Sequence, residues 1–154
     1  MFTTNEEDQR EAANLQKRLQ DTSDDESAGD QQQGHASGPR ISNVSIDSGS
    51  HKYVLISAVL PGGKERQNYV ISRRGAEYHR NVAEPFVEAL ERSGHSSIRI
   101  CGGGRIARDD SIKTINIFGY SYGFGLADHA LSMSVVEKDD RFKDYQISWS
   151  NDGY

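Results

Sequence analysis

The chain has 154 residues and a formal net charge of −5 at neutral pH, enough for one domain and too short for two of ordinary size. Residues 1–48 hold ten Asp or Glu against four Lys or Arg, whereas the remainder holds thirteen against fourteen. The acidity belongs to this leader, and the nearly neutral remainder gives no electrostatic case for nucleic acid or a membrane surface. The chain has no apolar run of membrane-spanning length and no basic-then-apolar secretory signal, and Cys101 is its single cysteine. These features predict a soluble, cytoplasmic protein in a reducing compartment.

The leader, residues 1–48, has no large aromatic after Phe2 and contains Asp24-Asp25-Glu26-Ser27, Gln31-Gln32-Gln33 and Gly34-His35-Ala36-Ser37-Gly38-Pro39. Such a segment buries too little apolar area to offset its ordering entropy and is expected to be disordered. Glu6 to Gln20 reads as a transient helix with Leu15 and Leu19 at i, i+4, and two leucines are not expected to hold it against solvent.

Lys52 to Leu60 is rich in β-branched and aromatic residues and ends at Pro61-Gly62-Gly63, so it reads as a central strand. Gln67 to Ser72 makes a second strand, and a hairpin is the economical pairing. Val82, Phe86 and Leu90 then recur every four residues, with Gly94 as a stop. Proline is tolerated near the first turn of a helix, so Pro85 sets the expected start near Asn81 or later and places His79 at or just before the N-terminus.

Ser96 to Ile100 and Ser111 to Phe118 are strand candidates on either side of Cys101-Gly102-Gly103-Gly104-Arg105, where three glycines predict a bulge or a close backbone approach. A second helix is expected from about Leu126 to Glu137 or Lys138, and Tyr145 to Ser150 alternates as a last strand. Strands and helices do not alternate strictly. The pattern predicts an α+β domain over residues 49–154, a mixed sheet flanked by two helices.

Gly119-Tyr120-Ser121-Tyr122-Gly123-Phe124-Gly125 follows an expected strand and precedes an expected helix. Free backbone N–H groups and a helix dipole at such a junction suit a phosphate. Cys101 is followed by an arginine after only three glycines, which is wrong for a cysteine phosphatase loop. There is no H-x-H, D-x-D or H-E-x-x-H arrangement for a metal, and no Gly-Lys-Ser/Thr ending for a nucleotide loop. Histidine is the side chain left to act as base or nucleophile near neutral pH. His79 and His129 lie at the two expected helix starts, and position alone also fits half-buried structural groups.

Lys52-Tyr53-Val54-Leu55-Ile56, Ala76-Glu77-Tyr78-His79, Gly102-Gly103-Gly104-Arg105-Ile106, Gly119 to Ala130 and the terminal Asn151-Asp152-Gly153-Tyr154 occur in the order and spacing of one family. The chain resembles the phosphohistidine phosphatase and Janus family. The resemblance implies a metal-independent hydrolase without cofactor that removes phosphate from histidine-phosphorylated proteins. It places the catalytic role on His79, substrate contact on Lys52, and phosphate binding on Ser121, Tyr122 and Gly123. Arg105 and His129 are further candidates, the first to help hold phosphate and the second to supply a proton to the leaving imidazole or to brace the loop.

Three positions depart from the family pattern. Ile71 stands where a gap-free match puts an arginine, with Arg73 and Arg74 nearby; Ala107-Arg108-Asp109 replaces a histidine; and Tyr122 is bulky. The expected protein is a monomer without nucleic-acid or membrane partners. The alternative is a non-catalytic, phosphate-binding regulator of the Janus type, associated with sexual differentiation.

Overall fold

A computed structural model describes residues 4–24 and 41–151. Its strands are β1 (Val44–Ile46), β2 (Gly49–Val59), β3 (Arg66–Ser72), β4 (Ser96–Asp109), β5 (Thr114–Phe118) and β6 (Gln146–Trp149). They form one sheet in the order β1-β3-β2-β4-β5-β6. The outer pairs β1–β3 and β5–β6 are parallel and the inner pairs antiparallel, which makes the sheet mixed as expected.

Because side chains alternate along a strand, β2 feeds two cores. Val54, Ile56 and Ala58 join one cluster with Tyr69, Ile71, Val82, Phe86, Val87 and Leu90. Tyr53 and Leu55 join the other with Val44, Ile106, Ile115, Ile117 and Val136. The first cluster is closed by helices α1 (Thr4–Asp24) and α2 (His79–Arg92), the second by α3 (His129–Glu137) and a short 3-10 turn at Asp140–Phe142. Among the described residues the α-helices therefore number three rather than two.

The acidic leader is the main correction. Among its described residues, Val44–Ile46 pairs with Val70–Ser72 as an edge strand, and Thr4–Asp24 is a helix docked on the domain. Asp8, Ala12, Leu15 and Leu19 are buried at spacings of four, three and four, which puts them on one helical stripe. That stripe meets Ile98 and Ile100 of β4, beyond the point where β5 begins to pair at Arg105. Gln16 Nε2 donates to the Ile100 carbonyl at 2.8 Å. Burying the two leucines contributes about 1.5–3 kcal/mol each, and this tertiary contact holds a helix that would be marginal alone. The runs of Gln and of Gly, Ser and Pro between residues 25 and 40 lie outside the described residues.

Two boundaries differ from expectation. Helix α2 begins at His79, so Pro85 lies in its second turn; the start is fixed instead by Asn81, whose Oδ1 accepts from the Tyr78 N–H at 2.9 Å. Helix α3 begins at His129 rather than Leu126, capped by Asp128, which accepts from the Leu131 N–H at 3.1 Å. The glycine run sits inside one continuous β4, and the expected bulge falls at Cys101: Leu55 pairs with Gly102 while its neighbour Ile56 pairs with Ile100.

Candidate active site

His79 is the first residue of α2 and is 2 % exposed. Its Nε2 lies 2.8 Å from the carbonyl oxygen of Gly104. A carbonyl can only accept, so Nε2 carries the proton, and the lone pair of the neutral ring is on Nδ1. Among the described residues no side chain or backbone group bonds that nitrogen. Burial pushes the His79 imidazole down to about 4; the Gly104 bond opposes this, and the Lys52 and Arg105 charges add to it. A neutral, oriented imidazole with one free nitrogen is able to take a proton or attack phosphorus.

Lys52 of β2 stands directly across from Arg105 of β4, so two cations share one end of the sheet on the face carrying α1 and α2. Burial, and then the Arg105 charge, lower the Lys52 ammonium from its ordinary value, while Asp8 and Glu77 raise it. Arg105 also donates to the Ser50 carbonyl at 3.3 Å. Sequence reasoning missed a third cation, Arg80, which follows His79 on the first turn of α2. Its guanidinium stacks over the Tyr78 ring at 4.7 Å and its Nε lies 3.7 Å from Asp8 Oδ1. Arg73 and Arg74 do not supply this charge: they bond the carbonyls of Ser45 and Ser72 and the Ser48 side chain and carbonyl at the β1 edge.

Ser121 opens a tight turn that closes on Gly125 through paired backbone bonds of 3.2 and 2.9 Å. Its hydroxyl oxygen accepts from the Phe124 N–H at 3.0 Å, leaving the hydroxyl proton to donate outward. The Ser121 amide is therefore spent on the turn, while the Gly123 amide has no partner among the described residues. Tyr122 points outward and meets Tyr120 edge-on. The helix following this turn is not its anion-binding partner, because Asp128 already caps α3; the helix start beside the turn is that of α2.

The glycine run brings these parts together. A Cβ added to Gly103 would lie 2.9 Å from His79 Cδ2 and 3.1 Å from Ser121 Cβ, so imidazole and serine approach one another across a bare backbone. On the other side of the sheet a Cβ on Gly104 would meet the Phe118 carbonyl and, at 2.8 Å, His129 Cε1. His129 is buried with both ring nitrogens engaged. Its Nε2 donates to the Gly119 carbonyl at 2.8 Å, and its Nδ1 meets the Tyr53 hydroxyl at 2.7 Å, which is also 3.0 Å from Ser132 Oγ. Burial drives the Tyr53 phenol far above its ordinary range, so this hydroxyl remains a donor.

Among the described residues no three His, Cys, Asp or Glu come together as a metal site, and no helix is long and apolar enough to cross a membrane. A cavity of about 420 Å³ lies elsewhere, between β1, the start of β3 and the end of α3, and includes none of the residues above. Residues 39–146 match the Janus/Ocnus family. The chain belongs to the Janus/Ocnus family. It is 36% identical over 121 residues to a 14 kDa phosphohistidine phosphatase of Sus scrofa, covering 75% of this chain and 94% of that one. The Homo sapiens protein of the same name is 36% identical over 120 residues, with 74% and 94% covered. Among family members of the other description, the sex-regulated protein janus-A of Drosophila yakuba is 33% identical over 106 residues, covering 69% of this chain and 76% of that one. All of α1 lies outside the stretch matched to the Janus/Ocnus family, which starts at residue 39.

Proposed function

We propose that this member of the Janus/Ocnus family is a metal-independent protein histidine phosphatase. The observation that carries the reading is His79: a buried, neutral imidazole anchored through Nε2, with Nδ1 open beside Lys52, Arg105 and the Ser121 turn. The Ser121 hydroxyl and Gly123 amide hold phosphoryl oxygens, and Lys52 follows the charge through in-line transfer as a point cation, with Arg105 beside it. Tyr122 contributes through its backbone and, with Tyr120 and Leu126, forms an exposed rim suited to the surface of a protein substrate.

In the reaction the P–N bond of phosphohistidine breaks, water supplies the proton that the leaving imidazole takes, and the water oxygen ends on phosphorus as inorganic phosphate, directly or after a phosphoryl group has rested on His79. His79 Nδ1 either attacks phosphorus or draws a proton from the attacking water; rapid-quench labelling separates the two by the presence or absence of phosphate on His79. His129 is assigned to bracing, since both its nitrogens are occupied behind the sheet. The single, unpaired Cys101 fits a reducing compartment such as the cytoplasm.

Release of phosphate from a phosphohistidine peptide, with chelator present throughout, tests the proposal. Turnover by wild type and none by His79→Ala is the expected result. Phosphate binding without turnover in the folded protein would instead favour the regulatory reading, which the janus-A and janus-B relatives keep in view.

A further inference from the structure

Two residues of the proposed site are covered, while Lys52, Arg105 and Gly123 are half-buried. His79 and Ser121 are each 2 % exposed, too little for a phosphohistidine on a protein surface to reach. The cover over the Ser121 turn is α1: a Cβ on Gly123 would lie 2.7 Å from Ala12 Cβ, 3.3 Å from the Asp8 carbonyl and 3.5 Å from Asp8 Oδ2. Asp8 is 4 % exposed, on the inward stripe of the helix. Its carboxylate sits between the Gly123 turn and Arg80, and it interacts electrostatically with Lys52. Yet among the described residues Asp8 Oδ1 is buried without a hydrogen-bond partner, with the Arg80 guanidinium 3.7 Å away. An acid placed among cations and a glycine turn, but incompletely bonded there, occupies a site shaped for a different anion.

We propose that α1 is a built-in cap whose Asp8 carboxylate stands in the place of the phosphoryl group, so that the site is closed at rest and α1 must lift before substrate binds. This rests on the reading of the Ser121 turn as the phosphate site. Elsewhere the contacts of α1 include two leucines, the Gln16 bond and an Arg18–Glu91 pair of 3.0 Å between partly exposed side chains, a kind of pair that holds little in water. A phosphoryl group offers three oxygens and more negative charge to the same amide and cations, and so displaces a planar carboxylate. Arg80, freed from Asp8, then becomes a further phosphate ligand that neither Arg73 nor Arg74 provides.

The test uses full-length protein, inorganic phosphate and a phosphohistidine peptide. Saturating phosphate should accelerate amide hydrogen exchange across residues 8–19 of wild type. The variant Leu15→Lys/Leu19→Lys, which removes the docking stripe, should bind phosphate about tenfold tighter and show a kcat/KM raised by a similar factor, because the closed state no longer competes. Asp8→Asn should shift both in the same direction by less. If the double variant melts without cooperativity, exchange in wild type and the Asp8→Asn kinetics decide. Unchanged exchange at saturating phosphate overturns the cap, as does a lowered kcat in Asp8→Asn, which would make Asp8 a working part of the site. Should every form lack turnover while phosphate binding and exchange respond as stated, the cap stands and the phosphatase reading falls. If phosphate binds neither form, both fall.

Discussion

His79 Nε2 donates to the Gly104 carbonyl at 2.8 Å, and this one bond decides which nitrogen is left to react. Because burial holds the imidazole down at about 4, the reactive neutral form persists well below the pH at which an ordinary histidine protonates. The acid limb of kcat/KM should therefore fall near pH 4 rather than near 6.5, and a pH–rate profile on a phosphohistidine peptide measures it.

The same shift predicts a pH dependence of stability. Between pH 6.5 and about 4 the unfolded chain binds a proton at this residue and the folded chain does not. Stability should thus decline as pH drops through that window and level off below it, with a total loss of about 3 kcal/mol. His79→Gln should flatten this part of the curve in urea titrations.

Lys52→Ala should raise KM and lower kcat together, with kcat/KM reduced by about 10–100-fold, the worth of one charge-assisted hydrogen bond of about 1.5–3 kcal/mol. Lys52→Arg should recover part of the loss. Steady-state kinetics unchanged by the alanine variant would assign Lys52 to a solvated position at the end of the sheet.

Tyr53→Phe tests the role of His129 without touching the reactive face. Removing the hydroxyl leaves buried His129 Nδ1 without its partner, a cost of about 1–3 kcal/mol. The urea midpoint should fall accordingly while kcat per folded molecule is retained. A kcat that collapsed with intact folding would move His129 into the reaction.

Gly104→Ala should destabilise the fold by about 1–3 kcal/mol or more. The new Cβ would be driven into the Phe118 carbonyl and the His129 ring at once, and both are held by buried bonds. Thermal melting checks it.

Much of this arrangement was legible in the chain because it is local. The apolar runs of β2 and β3, the four-residue period of Val82, Phe86 and Leu90, and the glycines beside Arg105 each announce themselves within a few residues. Among the proposed site residues, His79 and the Ser121 turn stand out by their places at a helix start and a glycine-rich junction, whereas Lys52 was reachable only because family motifs link distant segments. β1 escaped notice since three residues carry no period. α1 was undervalued because Leu15 and Leu19 look too few until Ile98 and Ile100 are brought against them across the fold. One signal was present: Asp8 shares the helical stripe of Ala12, Leu15 and Leu19, and a carboxylate on the apolar side of a helix needs a reason to be there. Arg80 was hidden for a related cause, as its partner lies in the leader.

Since α1 and the turn it covers are parts of one polypeptide, their encounter does not depend on how much protein is in solution. A tethered segment meets its target at an effective concentration commonly in the millimolar range. Enzyme diluted to nanomolar in an assay would be as closed as enzyme at high concentration, and only a competing anion or a change in α1 itself would alter the fraction open. Specific activity should thus be independent of dilution yet sensitive to phosphate in the buffer, a combination that a dissociating inhibitor or a dimer cannot produce.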